Sequence, residues 1–306
     1  MRVLINRRVV EGPWGGGNQF VHAFRTIMTR LGYEIVDRLD ALPDAILLIG
    51  IEQDSMGVGL NEATSHVIAH PSCRLISRLN DCDARKCTVG VDYRLAAAAS
   101  FCDSLVFVSE WLKDHLLSQW QRDGITDTTN KKVFVVHNGV DHNVFAPIVH
   151  ERSKPIRVVA HHWSDNPMKG RDVYEALDRA DNIKLTYIGR HACRFVSKDT
   201  VVIPPIAGHE LATALAEQDV YVSGSLWDPG PNHVLESLAC GLPTWVHKNG
   251  GGCVEFAGTD HTYDTIDELI AIMTGSRVCT RNTYMPMNWD QCIVKYANVI
   301  NEVCRS

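Results

Sequence analysis

Residues 219–243 read DVYVSGSLWDPGPNHVLESLACGLP. The opening DVYVSGS is β-branched and aromatic, as expected of a strand entering a core. LWDPGPN then gathers Asp, Pro, Gly and Asn into a loop in which no regular structure should persist. In HVLESLA, Val234, Leu235, Leu238 and Ala239 form one apolar stripe of a short helix. Gly241 closes that helix and Pro243 keeps it from resuming. A strand that ends in a loop at a helix N-terminus offers backbone amides to a phosphate. Asp228 in the loop and Glu236, expected on the helix face opposite the stripe, flank that seat. Amides for a diphosphate and carboxylates for sugar and ribose hydroxyls are what a nucleotide sugar requires.

Outward from this junction the same alternation recurs. IRVVAHH, NIKLTYIGR, TVVIPP, DVYVSGS and PTWVHK read as strands, with helices over 170–180, 209–217, 232–240 and 267–274. In the first half MRVLINRRVV, YEIV, AILLIG, RLISRLN, SLVFVS and KKVFVVHNGVD read as strands. QFVHAFRTIMTRLG is an amphipathic helix with Phe20, Phe24, Ile27, Met28 and Leu31 on one side; EWLKDHLLSQW is another. Strands separated by helices imply parallel, doubly wound sheets, so the fold class is α/β. HNVFAPIVHERSKP, polar and proline-containing, reads as a connector. The expected domains are therefore 1–147 and 148–288, followed by a helix over 289–306. A chain of 306 residues suits two cores of about 150 residues each.

Composition narrows the function. A net charge of −6 leaves no basic excess for nucleic acid. The longest apolar runs are about half the ~20 residues that span a bilayer. MRVLINRRVV enters a strand directly, without the layout of a signal peptide. The ten cysteines form no CxxC pair and no disulfide-scaffold spacing, which fits reduced thiols in a cytoplasmic protein and argues against zinc. His66 and His70 stand at i, i+4, but no Glu follows His66 and Pro71 ends the helix, so a zinc-protease motif is rejected. Neither a G-x-S-x-G elbow nor a P-loop occurs.

Spacing alone does not carry the reading. With 36 acidic residues in 306, about four acidic pairs at any fixed separation arise by chance. Position across a strand–loop–helix junction adds weight, and here a family resemblance enters. The segment resembles the E-x7-E region of retaining glycosyltransferases of family 4, with LESLACGLPTWV close to that family's run and Asp228 where its first Glu usually stands. The resemblance implies a GT-B fold, two Rossmann-like domains facing across a cleft, with the last helix packing back toward the N-terminal domain. It implies transfer of a hexose from a nucleotide sugar with retention, and no metal or other cofactor.

Further motifs carry the resemblance, each beside a plainer structural reading. Gly16 and Gly17 of the Gly15–Gly17 run match positions facing the donor, though the run is also a tight strand-to-helix turn. In HHWSDNPMKG (161–170), Lys169 stands where an ammonium meets leaving-group phosphates, with His162 and Ser164 nearby; the alternative is one solvated lysine. Trp163 occupies the place of the family's usual Arg, leaving His161, His162 or Arg190 to supply charge. HNGVD (137–141) matches the interdomain crossing and is equally an Asn-Gly turn. Gly250–Gly252 with Glu255 resembles a donor-side loop or is simply a flexible one. Asn80 takes the place of a His beside the reacting sugar, with Asp81 as its acidic neighbour; Asn cannot take a proton at pH 7, which excludes a general-base role. Asp81 and Asp83 form an Asp-x-Asp, a metal motif of another glycosyltransferase fold that two α/β units do not suit.

The resemblance thus implies catalytic roles for Asp228, Lys169, Asn80 and Asp81. It places Glu236 at the ribose and Gly189, Arg190 and Pro205 near the base, with Gly230, Pro231, Asn232 and His233 addressing sugar and phosphates. GDP-mannose is placed first as donor and UDP-hexoses second. The acceptor expected is glycan-, lipid- or protein-linked; peripheral membrane contact and a homodimer stay open. Two rivals remain. A non-catalytic sugar-nucleotide binder on the same fold is favoured by Asp228, Asn80 and Trp163. An NAD-dependent dehydrogenase lacks its glycine fingerprint, with Asp37 the nearest acidic strand end.

Overall fold

Short β-branched and leucine-rich runs, each cut off by Gly, Asp or Pro, build the first sheet: β1 (Arg2–Ile5), β2 (Glu34–Val36), β3 (Ala45–Leu48), β4 (Arg74–Leu79), β5 (Ser104–Phe107) and β6 (Lys132–Val135). All pairs are parallel, in the order β2-β1-β3-β4-β5-β6. Helices α1 (Gly16–Arg30), α2 (Leu60–Ala69), α3 (Val91–Phe101) and α4 (Glu110–Asp123) connect the strands. Ser109 Oγ accepts from Leu112 N to start α4, and Gly124 closes it at φ 61°. Helices cover the sheet, so β3 and β5 are buried throughout. These coordinates come from a computed structural model that describes residues 1–12, 15–52, 56–125, 128–147 and 154–305. Pro13 and Trp14 of the expected glycine-rich loop, and residues 148–153 of the expected connector, lie outside the described residues.

The second sheet repeats the plan. Its strands and helices run β7 (Ile156–His162), α5 (Arg171–Arg179), β8 (Ile183–Gly189), β9 (Val201–Ile203), α6 (Gly208–Ala216), β10 (Val220–Ser223), α7 (Asn232–Ala239), β11 (Thr244–His247), α8 (Gly252–Ala257), β12 (Thr262–Tyr263) and α9 (Ile266–Thr274). The order is β12-β11-β10-β7-β8-β9, again all parallel. Chain direction across the sheet therefore reverses between β7 and β10. In open parallel sheets the carboxyl ends of the strands at such a switch point are where ligands bind. At the opposite end Arg157 and Asp219 tie the starts of the same two strands, with Nη2 2.9 Å from Oδ1.

The final helix, α10 (Trp289–Cys304), returns to the first sheet. Its Tyr296 ring packs 4.8 Å from Phe20, and its hydroxyl accepts from Arg78 Nε at 3.1 Å. Arg78 lies over Phe20 and donates to Asn138 Oδ1 at 2.8 Å, so the Asn of HNGVD is a buried partner of the core. The chain divides into two units, Met1–Ala84 with Thr88–Gly139 and Trp289–Ser306, and Arg85–Cys87 with Val140–Asn288. The division falls inside HNGVD, eight residues before the position read from the sequence. The reason is local: Val140 N–H donates to Met287 O and thereby joins the second unit.

Candidate functional site

Three loops leave the carboxyl ends of β7, β8 and β10, and they hold most of the residues singled out in the second unit. The loop after β7 makes a 3-10 turn over Pro167–Lys169, started by Asn166, whose Oδ1 accepts from Met168 N. Gly170 then sits at φ 78°, and a Cβ there would run into Gly224 of the β10 loop. Only glycine lets these two backbones approach so closely. Leu226 N–H donates to Met168 O at 2.8 Å and completes the join.

That join brings Lys169 to Asp228. Lys169 Nζ lies 2.5 Å from Asp228 Oδ2, and both side chains are largely buried. Burial by itself would push the Asp228 carboxyl upward, but the Lys169 ammonium, Arg85 and the Gly230 amide together outweigh it and hold the group below its ordinary value. Asp228 also braces its loop: Oδ1 accepts from Gly230 N at 3.3 Å, and its backbone bridges Gly251. The preceding Trp227 sits at φ 53°, a strained conformation for a bulky residue, its N–H donating to Asn249 O. The Gly250–Gly252 stretch is thus a fixed partner of the Asp228 loop, and Glu255 belongs to α8 rather than to a flexible segment.

Glu236 requires a correction. All eight residues of α7 are buried, so the helix has no solvent face for Glu236 to occupy. The carboxylate instead faces His161, whose Nε2 is 2.8 Å from Oε2. An apolar stripe read from spacing identifies the most buried side of a helix, not whether the remaining sides are covered. Pro231, at the N-cap of α7, gives the helix no side-chain hydrogen bond.

His162 and His233 complete a buried polar cluster. Gly224 N–H donates to Tyr174 Oη at 2.9 Å, freeing the Tyr174 hydroxyl proton for His162 Nε2. His233 Nε2 lies 3.0 Å from Ser223 Oγ. Burial first, then the nearby positive groups, holds both imidazoles well below 6.5 and hence neutral near pH 7. Unfolded imidazoles gain protons near 6.5, so the unfolded state binds more protons below that pH and stability falls on acidification. The midpoint of denaturant unfolding should hold above about pH 7 and drop steadily below about pH 6.5. The ring proton resonances of His162 and His233 should stay unshifted through the same interval, and movement of both near pH 6.5 would refute the buried neutral pair.

The remaining residues fall into place as follows. Ser164 Oγ accepts from Asn166 N at 3.2 Å and shapes the Lys169 turn. Gly189 ends β8 at φ 131°, where a Cβ would collide with the His162 carbonyl. Arg190 follows directly, and its guanidinium lies 4.1 Å over the Trp163 ring. Pro205 lies two residues past β9. In the first unit, Gly16 and Gly17 open α1, and a Cβ at Gly17 would meet nothing within 4 Å. Asn80 and Asp81 follow β4, with Asp81 Oδ1 accepting from Cys82 N. Asp83 accepts from the amides of Gly90, Val91 and Asp92 and so caps α3. No group of metal-holding side chains occurs among the described residues. Sequence reasoning missed the roles of His161, Tyr174 and the Trp163–Arg190 stack. Only the strand pairing, which sets His162 opposite Gly189, could have signalled the last.

No protein-family model matches the chain, and no curated protein matches its sequence. Solved structures do match. Sucrose-phosphate synthase from Thermosynechococcus elongatus superposes with a TM-score of 0.67 at 11% identity, covering 99% of this chain and 98% of that one. AviGT4, a glycosyltransferase of avilamycin A biosynthesis, gives 0.61 at 13%, covering 100% and 98%. HepE from Anabaena, solved with UDP and glucose, gives 0.62 at 14%, covering 99% and 97%. No helix among the described residues is long and apolar enough to cross a membrane. With two six-stranded parallel sheets wrapped in helices and neighbours of this kind over nearly its whole length, the chain has the α/β GT-B fold.

Proposed function

We propose that this chain transfers a hexose from a nucleoside diphosphate sugar to a carbohydrate-bearing acceptor, with retention at the anomeric carbon. One observation carries the reading: the Lys169–Asp228 pair, the His161–Glu236 pair and the N-terminus of α7 converge at the switch point of the second sheet. Kinship of fold with AviGT4 and with HepE, which was solved with UDP and glucose, supports it. Glu236 accepts from ribose hydroxyls, and Lys169 with the first amides of α7 takes the diphosphate. Gly189 and Pro205 border the base; Asn80, Asp81, Gly16 and Gly17 keep the roles that the resemblance gives them. Asp228 is already engaged by Lys169 and Gly230, so it braces the loop and supplies a fixed charge rather than a free base. The acceptor hydroxyl proton then passes to the departing phosphate oxygen as the new glycosidic bond forms on the face being vacated. Catalysis is positioning plus stabilisation of the leaving charge, without a divalent cation.

The test is donor turnover in saturating chelator, with GDP-mannose and UDP-glucose as parallel arms and proton NMR of the anomeric signal. Product of unchanged anomeric configuration, formed at a rate within a few fold of that with added magnesium, is the expected result. Binding of a donor without hydrolysis or transfer would establish the non-catalytic binder instead. Absence of binding to either donor overturns both readings.

A further inference from the structure

We infer that Arg190, laid flat on Trp163, is the guanidinium that takes the diphosphate of the bound nucleotide; this rests on the nucleotide site proposed above. The parallel pairing of β7 with β8 sets His162 opposite Gly189, so Trp163 and Arg190 are the first residues past two adjacent strand ends. Their placement is fixed at several points. Arg190 N–H donates to His162 O at 3.3 Å, and Arg190 O accepts from Tyr187 Oη at 3.1 Å. The close passage of Gly189 against the His162 carbonyl admits no other residue. The guanidinium, 4.1 Å above the indole, is exposed, and no carboxylate pairs with it among the described residues.

Charge and geometry both favour this residue. Lys169 shares its charge with Asp228. His162 and His233 are neutral through burial. Arg171 lines the cavity beside Lys169, and the charge of Arg85 acts on both Asp228 and His233. Arg190 adds an exposed guanidinium at its edge, for the chain just beyond it, His191 and Ala192, lines the same small cavity as Lys169, Asp165 and Asn166. An arginine suits the task better than a lysine. Its planar fork donates to two phosphate oxygens while its face stays on the indole, so little side-chain freedom is lost on binding.

Calorimetric titration of the full chain with a nucleoside, its monophosphate and its diphosphate, in guanine and uracil series, reads this directly. Arg190→Ala should weaken the diphosphate by at least about tenfold and leave the nucleoside unchanged. Arg190→Lys should recover only part of the loss, because charge remains while the stack and fork do not. Trp163→Leu should weaken the diphosphate less, and in its background Arg190→Ala should have a smaller effect. Thermal melts confirm that each variant is folded. Equal losses for nucleoside and diphosphate would place Arg190 at the base and overturn the inference while leaving the nucleotide site standing. Unaltered diphosphate affinity in Arg190→Ala overturns it as well. Failure of the unaltered protein to bind any nucleotide removes the site itself.

Discussion

Replacing Lys169 with methionine should cost the second unit about 3–5 kcal/mol, because it strands the Asp228 carboxylate in the interior. Lys169 and Asp228 are only 14% and 6% exposed, so water cannot take over as partner. The pH dependence follows from the same pair. In the intact protein Asp228 is held below its ordinary 3.8, so its contribution is complete above that pH and is lost as acid protonates the folded form. Without the ammonium, burial is opposed only by Arg85 and the Gly230 amide, and the group should rise. The variant then gains protons on folding, and its deficit relative to the intact protein should narrow as the pH falls from about 7 toward about 5. Adding Asp228→Asn should restore much of the stability, since no buried charge remains. Transfer should still fall about a hundredfold or more in either variant, for want of the ammonium at the leaving diphosphate. Denaturant titrations at three pH values and steady-state donor turnover read both effects. A Lys169→Met protein as stable as the parent would show that the pair does not form.

The second large effect belongs to Glu236. Glu236→Ala should weaken nucleoside diphosphate binding by about 1.5–3 kcal/mol, and it should also lower stability by about 1–3 kcal/mol, because His161 Nε2 loses its buried acceptor. Glu236→Gln separates the two consequences. The amide oxygen still accepts from His161, so melting should return close to the parent, whereas ribose hydroxyls lose a charged acceptor and affinity stays reduced. Parent-like affinity in Glu236→Gln would remove Glu236 from the site; parent-like melting in Glu236→Ala would remove the His161 contact.

Much of the architecture was readable because the chain punctuates itself. The strands through IRVVAHH, NIKLTYIGR and DVYVSGS, and the helices ending near Gly241 and Thr274, lie within a residue or two of their expected bounds. Elements without such contrast were missed. GCVEFA begins at the third of three consecutive glycines and reads as loop, yet it is α8, packed by Cys253 and Phe256 against α7. Helices α2 and α3 were not singled out, for α3 is alanine-rich and has little amphipathic pattern to read. The site was legible as a set of names but not as a set of partners. Lys169 and Asp228 are 59 residues apart, and only the close approach of Gly170 to Gly224 brings them together. Glu236 and His161 are 75 apart, and the sequence offers no sign that they meet.

The return of α10 to the first unit bears on the order in which the molecule can be completed during synthesis. Phe20 and Phe24 are made some 270 residues before the Tyr296 ring that packs on both. The second unit, by contrast, is continuous in the message apart from residues 85–87. Closing so long a loop adds little entropy cost, because that cost grows only logarithmically with length. Time is the quantity affected. The half of the protein that begins first must keep part of its aromatic core uncovered until the half that begins second has been made, and a ribosome paused before codon 289 would hold a nascent chain whose later unit is whole and whose earlier unit is not.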